Sequence, residues 1–170
     1  MVTHDLGLRF NTPTVNLFFE PISHYISFLK LIESGKEITN LTEVPNSSKS
    51  YPMGTLNDII FINFKHYQNF DSAKKKWNER IARININNLL VILIEKDGCT
   101  YKDLVDFDNL SFTNKVAIVH KEYPEIRCSY VLKDNRAESE VEDLTKWDGF
   151  WGKRRYDIID WVKLFNEIKK

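Results

Sequence analysis

Apolar positions follow two rhythms along the chain. The run Leu89–Ile94 is unbroken, preceded by Asn87-Asn88 and stopped by Glu95-Lys96-Asp97-Gly98. A short apolar run between turn residues reads as a strand buried on both faces, as in parallel sheets covered by helices. Ile92, in its middle, is expected to be fully buried. Val116-Ala117-Ile118-Val119-His120 reads the same way. Between the two, Tyr101, Leu104, Val105 and Phe107 take helical spacing, with Thr100 as the cap. The result is a strand–helix–strand unit, whose strands should be parallel and whose crossover should be right-handed.

The rest of the chain extends the pattern. Asp58–Lys65, with Ile59, Ile60, Phe61, Ile62 and Phe64, predicts a further strand. Val15–Phe19 predicts a short one, and Ile126–Leu132, alternating at Cys128, Tyr130 and Leu132, a half-exposed edge strand. Helical spacing recurs at Ile22, Tyr25, Phe28, Leu29 and Ile32, between Pro21 and Gly35. It recurs at Ala73, Trp77, Ile81 and Ile84 behind an Asp71 or Ser72 cap, and at Ile158, Trp161, Val162, Phe165 and Ile168. Trp77 is expected in the core. The series predicts one α/β domain over residues 1–170, three-layered and Rossmann-like. Its mainly parallel central sheet would unite the strands near 59–64, 89–94 and 116–119, with helices on both faces. An irregular loop, 133–155, would precede the C-terminal helix.

Composition narrows the partners. Lys plus Arg and Asp plus Glu are both 24, so the formal charge is zero, which disfavours nucleic acid. No run approaches the ~20 apolar residues of a membrane span. Met1-Val2-Thr3-His4-Asp5 has no basic stretch leading into an apolar one, so no signal peptide is read. Cys99 and Cys128 are the two cysteines, and without a secretion signal they are expected as free thiols in the cytoplasm. No His/Cys metal spacing, Gly-x-Gly-x-x-Gly, Walker loop or serine elbow occurs, so no metal and no cofactor are expected. Asp106-Phe107-Asp108 matches Asp-x-Asp but falls in or at the end of a predicted helix.

In open sheets of the expected kind, ligands bind beyond the carboxyl ends of the strands. Glu95 and Asp97 follow one such end and His66 another, so these three form the candidate catalytic set. A neutral imidazole there can serve as acid, base or ligand. The alternatives are that Glu95 and Asp97 only cap the helix at Thr100 and that His66 is structural. Candidate substrate-binding residues are Asn11, Tyr67, Arg80, Thr100, Trp151 and Arg154. Trp147-Asp148-Gly149-Phe150-Trp151-Gly152-Lys153-Arg154-Arg155-Tyr156 mixes aromatics with cations, which suits stacking on a sugar and holding an anion. The competing reading folds those aromatics over the core. Helix starts at Asp71 and Thr100 would favour an anionic group. Cys99 precedes a helix start, where a thiolate is favoured, yet it has no histidine nearby in sequence.

Several segments occur in a characteristic order. They are Leu6-Gly7-Leu8, Asn11-Thr12-Pro13, Leu17-Phe18-Phe19, Tyr51-Pro52-Met53-Gly54, His66-Tyr67, Trp77-Asn78-Glu79-Arg80, Asp97-Gly98-Cys99-Thr100, Asn114-Lys115-Val116 and Lys121-Glu122-Tyr123-Pro124. Together they resemble the bacterial family known as domain of unknown function 1919, over roughly residues 5–165. Members are often labelled exopolysaccharide or capsule biosynthesis proteins. The resemblance implies an upstream segment, a strand and a polar turn with Asn, Cys and Trp, from which this chain departs. Two functions follow as expectations. One is an acyl- or glycosyl-transferase of surface-polysaccharide assembly, acting on a small or sugar-containing ligand with an anionic group. The other is a non-catalytic binding or scaffolding protein of the same pathway.

Overall fold

The computed structural model describes residues 12–133, 135–147, 152 and 154–168. Asn11 and Trp151 lie outside the described residues. The chain divides between Leu89 and Leu90 into two compact units.

The first unit holds a three-stranded antiparallel sheet in the order β1 (Leu41–Glu43), β2 (Met53–Leu56), β3 (Ile60–Asn63). A tight turn through Asn57 and Asp58 joins β2 to β3, with φ of 53° and 57°. Asn and Asp tolerate this left-handed region better than other side-chain-bearing residues, and such turns match the twist of a hairpin. Phe18 extends the sheet by exchanging backbone hydrogen bonds with Asn63. Helix α1 (Ser23–Glu33) lies against β3 and buries Ile26, Phe28, Leu29 and Ile32. Helix α2 (Phe70–Ile81) buries Phe70, Ala73 and Trp77. Its cap is Asn69, whose Oδ1 accepts from the Ser72 N–H at 2.9 Å, and not Asp71 or Ser72. Trp77 is a core residue, and its indole N–H donates to the Ile38 carbonyl. Gly54, within β2, allows close packing: a Cβ there would sit 2.9 Å from Phe70 and 3.0 Å from Leu41.

The second unit holds a parallel sheet in the order β4 (Leu90–Ile94), β5 (Asn114–Val119), β6 (Ser129–Val131). β4 and β5 pair from Leu90 opposite Asn114 to Ile94 opposite Ile118, and β6 forms the edge. Helix α3 (Tyr101–Asp108) connects β4 to β5 and lies against β5. Helix α4 (Trp161–Ile168) ends the described chain. On one face Val116, Ile118 and Leu132 pack with Val141, Ile159 and Leu164, and Ile92 and Ile94 lie against that cluster.

The expected three-layer, mainly parallel, Rossmann-like sheet is not what forms. The strand–helix–strand unit is there and its strands are parallel. The strand at Ile60–Asn63 instead belongs to a separate antiparallel sheet. Its partners are short, carry Gly54, Thr55 and Thr42, and lack an apolar run. A second correction concerns β4. Val91 and Leu93 are buried, whereas Leu90, Ile92 and Ile94 are only partly buried, so one face of the strand is less enclosed than its apolar run suggested.

Candidate active site

Parallel pairing brings the carboxyl ends of β4 and β5 side by side. Glu95 is the first residue after β4, and its N–H still donates to the Ile118 carbonyl at 2.9 Å. His120 is the first residue after β5. Glu95 is 4% exposed, and a buried carboxylate persists only where donors replace water. Three donors do so here. Oε2 accepts from the His120 backbone N–H at 3.0 Å and faces His120 Nδ1 at 2.7 Å. Oε1 accepts from the Tyr123 hydroxyl. The side chains of Glu95 and His120 are 6% and 7% exposed.

The two ring nitrogens are distinct here: Nδ1 is the one that faces the Glu95 carboxyl, and in the neutral tautomer that donates from Nδ1 the Nε2 atom is the acceptor. Nε2 takes no hydrogen bond among the described residues. Around the pair, the Tyr123 ring lies 6.1 Å from the imidazole and 5.8 Å from the ring of Tyr101, which is half exposed. The Lys121 ammonium stands 5.4 Å over the Tyr123 ring. Burial, followed by the hydrogen bond to Glu95 and the charge of Glu95, raises the Tyr123 hydroxyl well above its ordinary value. Tyr123 therefore stays a donor.

The loop from Lys96 to Thr100 is anchored independently. Asp97 adopts φ 55° and Gly98 φ 81°. The Asp97 N–H donates to Glu140 Oε2 at 3.0 Å, and the Val141 N–H donates to the Glu95 carbonyl at 2.7 Å. Thr100 caps α3: its Oγ1 accepts from the Asp103 N–H, while the Asp103 carboxylate accepts from the Thr100 N–H and hydroxyl at 2.9 and 2.6 Å. The cap is thus a Thr–Asp box, and neither Glu95 nor Asp97 serves it. Cys99 is a free, partly buried thiol. Burial, then the charges of Asp103 and Glu95, push it up to about 12, so it is no thiolate at neutral pH despite its place before a helix.

Of the other sequence candidates, His66, Tyr67 and Arg80 belong to the first unit and Arg154 to the second. His66 is an exposed turn residue of the first unit, whereas Glu95 and Asp97 belong to the second. Arg80 donates from one Nη1 to the Val15 carbonyl at 2.8 Å and the Tyr67 hydroxyl at 2.9 Å, fastening α2 to the chain on either side of the first sheet. In the second unit, Trp147 and Arg154 pair as an antiparallel bridge. The Arg154 guanidinium sits 4.6 Å from the Trp147 ring and donates to the Tyr156 hydroxyl at 2.9 Å. Trp147 is 61% exposed, so this aromatic does not fold over the core.

His120 and Tyr123 were missing from the sequence-based set. The signal was present: His120 follows the second strand of the parallel unit as Glu95 follows the first.

The family described as Domain of unknown function (DUF1919) matches residues 1–166. The chain belongs to this family. It is also similar to an uncharacterized protein of Haemophilus influenzae, with 37% identity over 165 residues, covering 97% of this chain and 78% of the relative. The segments that carry the resemblance have identifiable work in the fold. Tyr51–Gly54 supplies the close packing at Gly54. Gly98-Cys99-Thr100 leads into the α3 cap. Lys115 donates from Nζ to the Asp108 and Leu110 carbonyls at the end of α3, and Lys121–Pro124 carries Tyr123. Among the described residues, no helix is long and apolar enough to cross a membrane.

Proposed function

We propose that this DUF1919 protein is a transferase that moves an acyl or glycosyl group onto a sugar hydroxyl, with His120 as general base. The observation that carries the reading is the buried Glu95–His120 pair at the carboxyl ends of two parallel strands, with Nε2 taking no hydrogen bond among the described residues. An acceptor hydroxyl placed on Nε2 loses its proton there as its oxygen bonds to the donor carbon. The bond from that carbon to the leaving group breaks, and the proton passes on to the leaving group. Glu95 holds the tautomer and offsets the charge of the imidazolium, an arrangement worth about 10²–10⁴-fold in rate. The high Cys99 thiol argues against a covalent acyl–cysteine route. The assignment to surface-polysaccharide assembly rests on the family resemblance.

A second reading is favoured by the Arg154–Trp147–Tyr156 stack. An exposed indole under a guanidinium suits a non-catalytic sugar-binding surface. Titration with sugar nucleotides and with acyl-coenzyme A, followed by product analysis with a sugar acceptor, separates the two. The transferase reading expects donor turnover that His120→Ala abolishes. Binding without turnover, retained by His120→Ala and lost by Trp147→Ala, supports the binding reading.

A further inference from the structure

We infer that Tyr123 is a positioning residue for the general base, acting on His120 through Glu95. This rests on the reading of His120 as the base. The two Glu95 oxygens have divided duties. Oε2 receives both hydrogen bonds from His120, and Oε1 receives one from Tyr123. A carboxylate on a side chain 6% exposed has little water to draw on if one donor leaves. Without the phenol, Oε1 is unsatisfied, and the cheapest relief is rotation of the carboxylate to share its remaining donors. That rotation takes Oε2 off the Nδ1–H line and loosens the choice of tautomer.

Tyr123 is itself fixed by the two segments that present the pair. Its ring is packed on Tyr101, the first residue of α3, whose connection starts at Glu95. It also stands edge-on to His120 at 76°, under the Lys121 ammonium. The hydroxyl is therefore held at Oε1 by packing, and Tyr123→Phe removes the donor while keeping that packing.

The test is the ¹⁵N spectrum of the imidazoles in the intact protein, which reports the tautomer without any substrate. Wild type should show His120 as a single Nδ1–H form with a hydrogen-bonded, downfield Nδ1–H. Tyr123→Phe should mix the tautomers and lose that resonance, and kcat for transfer should fall about tenfold or more with KM nearly unchanged. Tyr101→Ala, which removes a ring contact but no donor, should disturb the resonance less. Should Tyr123→Phe not fold, 3-fluorotyrosine placed at position 123 keeps the ring and strengthens the donor, and the His120 resonance should move. A Tyr123→Phe protein that melts lower but keeps the wild-type His120 spectrum overturns the inference, as does an unmoved resonance with fluorotyrosine. If the spectra change as expected while no donor is ever turned over, the positioning holds and the transferase reading fails.

Discussion

The two units handle buried polar groups differently. In the first, the buried polar residue is a neutral amide, Asn63, and the cation Arg80 serves to tie segments together. In the second, three carboxylates are buried among the described residues: Glu95, Asp103 and Asp108. Two of them serve the ends of α3. Asp103 completes its N-terminal cap, and Asp108 takes the Cys128 N–H at 2.9 Å and Arg127 Nε at 3.0 Å. Glu95 alone among the three bonds an imidazole. Parallel strands explain the Glu95–His120 pair. They end side by side, so the residues that follow them meet, whereas the hairpin of the first unit turns its ends through Asn57 and Asp58.

The comparison breaks most visibly at the site. His120→Ala should lower transfer about 10²–10⁴-fold, whereas His66→Ala in the first unit should leave it within about twofold. A larger effect from His66 would move the chemistry out of the parallel unit. Next come the two cores. Leu93→Ala in β4 should cost about 2–5 kcal/mol in denaturant melts, and Ile92→Ala distinctly less, because Ile92 is only partly buried. Gly54→Ala in the antiparallel sheet should cost about 1–3 kcal/mol from overpacking against Phe70 and Leu41. Equal losses for Leu93 and Ile92 would show both faces of β4 to be equally enclosed.

A smaller effect concerns acid. Burial raises the Asp108 carboxyl, but the hydrogen bonds from Cys128 and the charge and hydrogen bond of Arg127 outweigh it, so the net direction is down. A depressed native value means stability that is present above the ordinary carboxylate range and lost as pH falls through the native value. The stability gap between wild type and Asp108→Asn should therefore be wide at pH 7 and close below roughly pH 4. A gap that widens on acidification would contradict the assignment. Smallest of all, Cys99 and Cys128, both pushed up to about 12, should alkylate at pH 7 more slowly than a free thiol. A rapid reaction at Cys99 would restore it as a candidate nucleophile.

The parallel unit was legible because its strands are apolar runs closed by turn residues and its helix opens on Thr100. The antiparallel sheet was not. β1 has one buried residue in three, β2 is Met-Gly-Thr-Leu, and neither carries a periodic signal. The Asn57-Asp58 hairpin turn was absorbed into a strand boundary, so Ile60–Asn63 was given the wrong partners. The candidate site was half legible. Glu95 was singled out by its place after a strand, and the same rule applied to β5 yields His120. Tyr123 carries no such mark, since a tyrosine in a loop becomes a donor to Glu95 only once β4 and β5 are paired.

The central claim is that the working histidine is His120. Imidazole ¹⁵N spectra recorded during titration with sugar nucleotides and acyl-coenzyme A address it directly, because both histidines are read in one sample. The account predicts that the His120 Nε2 resonance moves on saturation while His66 stays in place. Movement at His66 with His120 unchanged would contradict it.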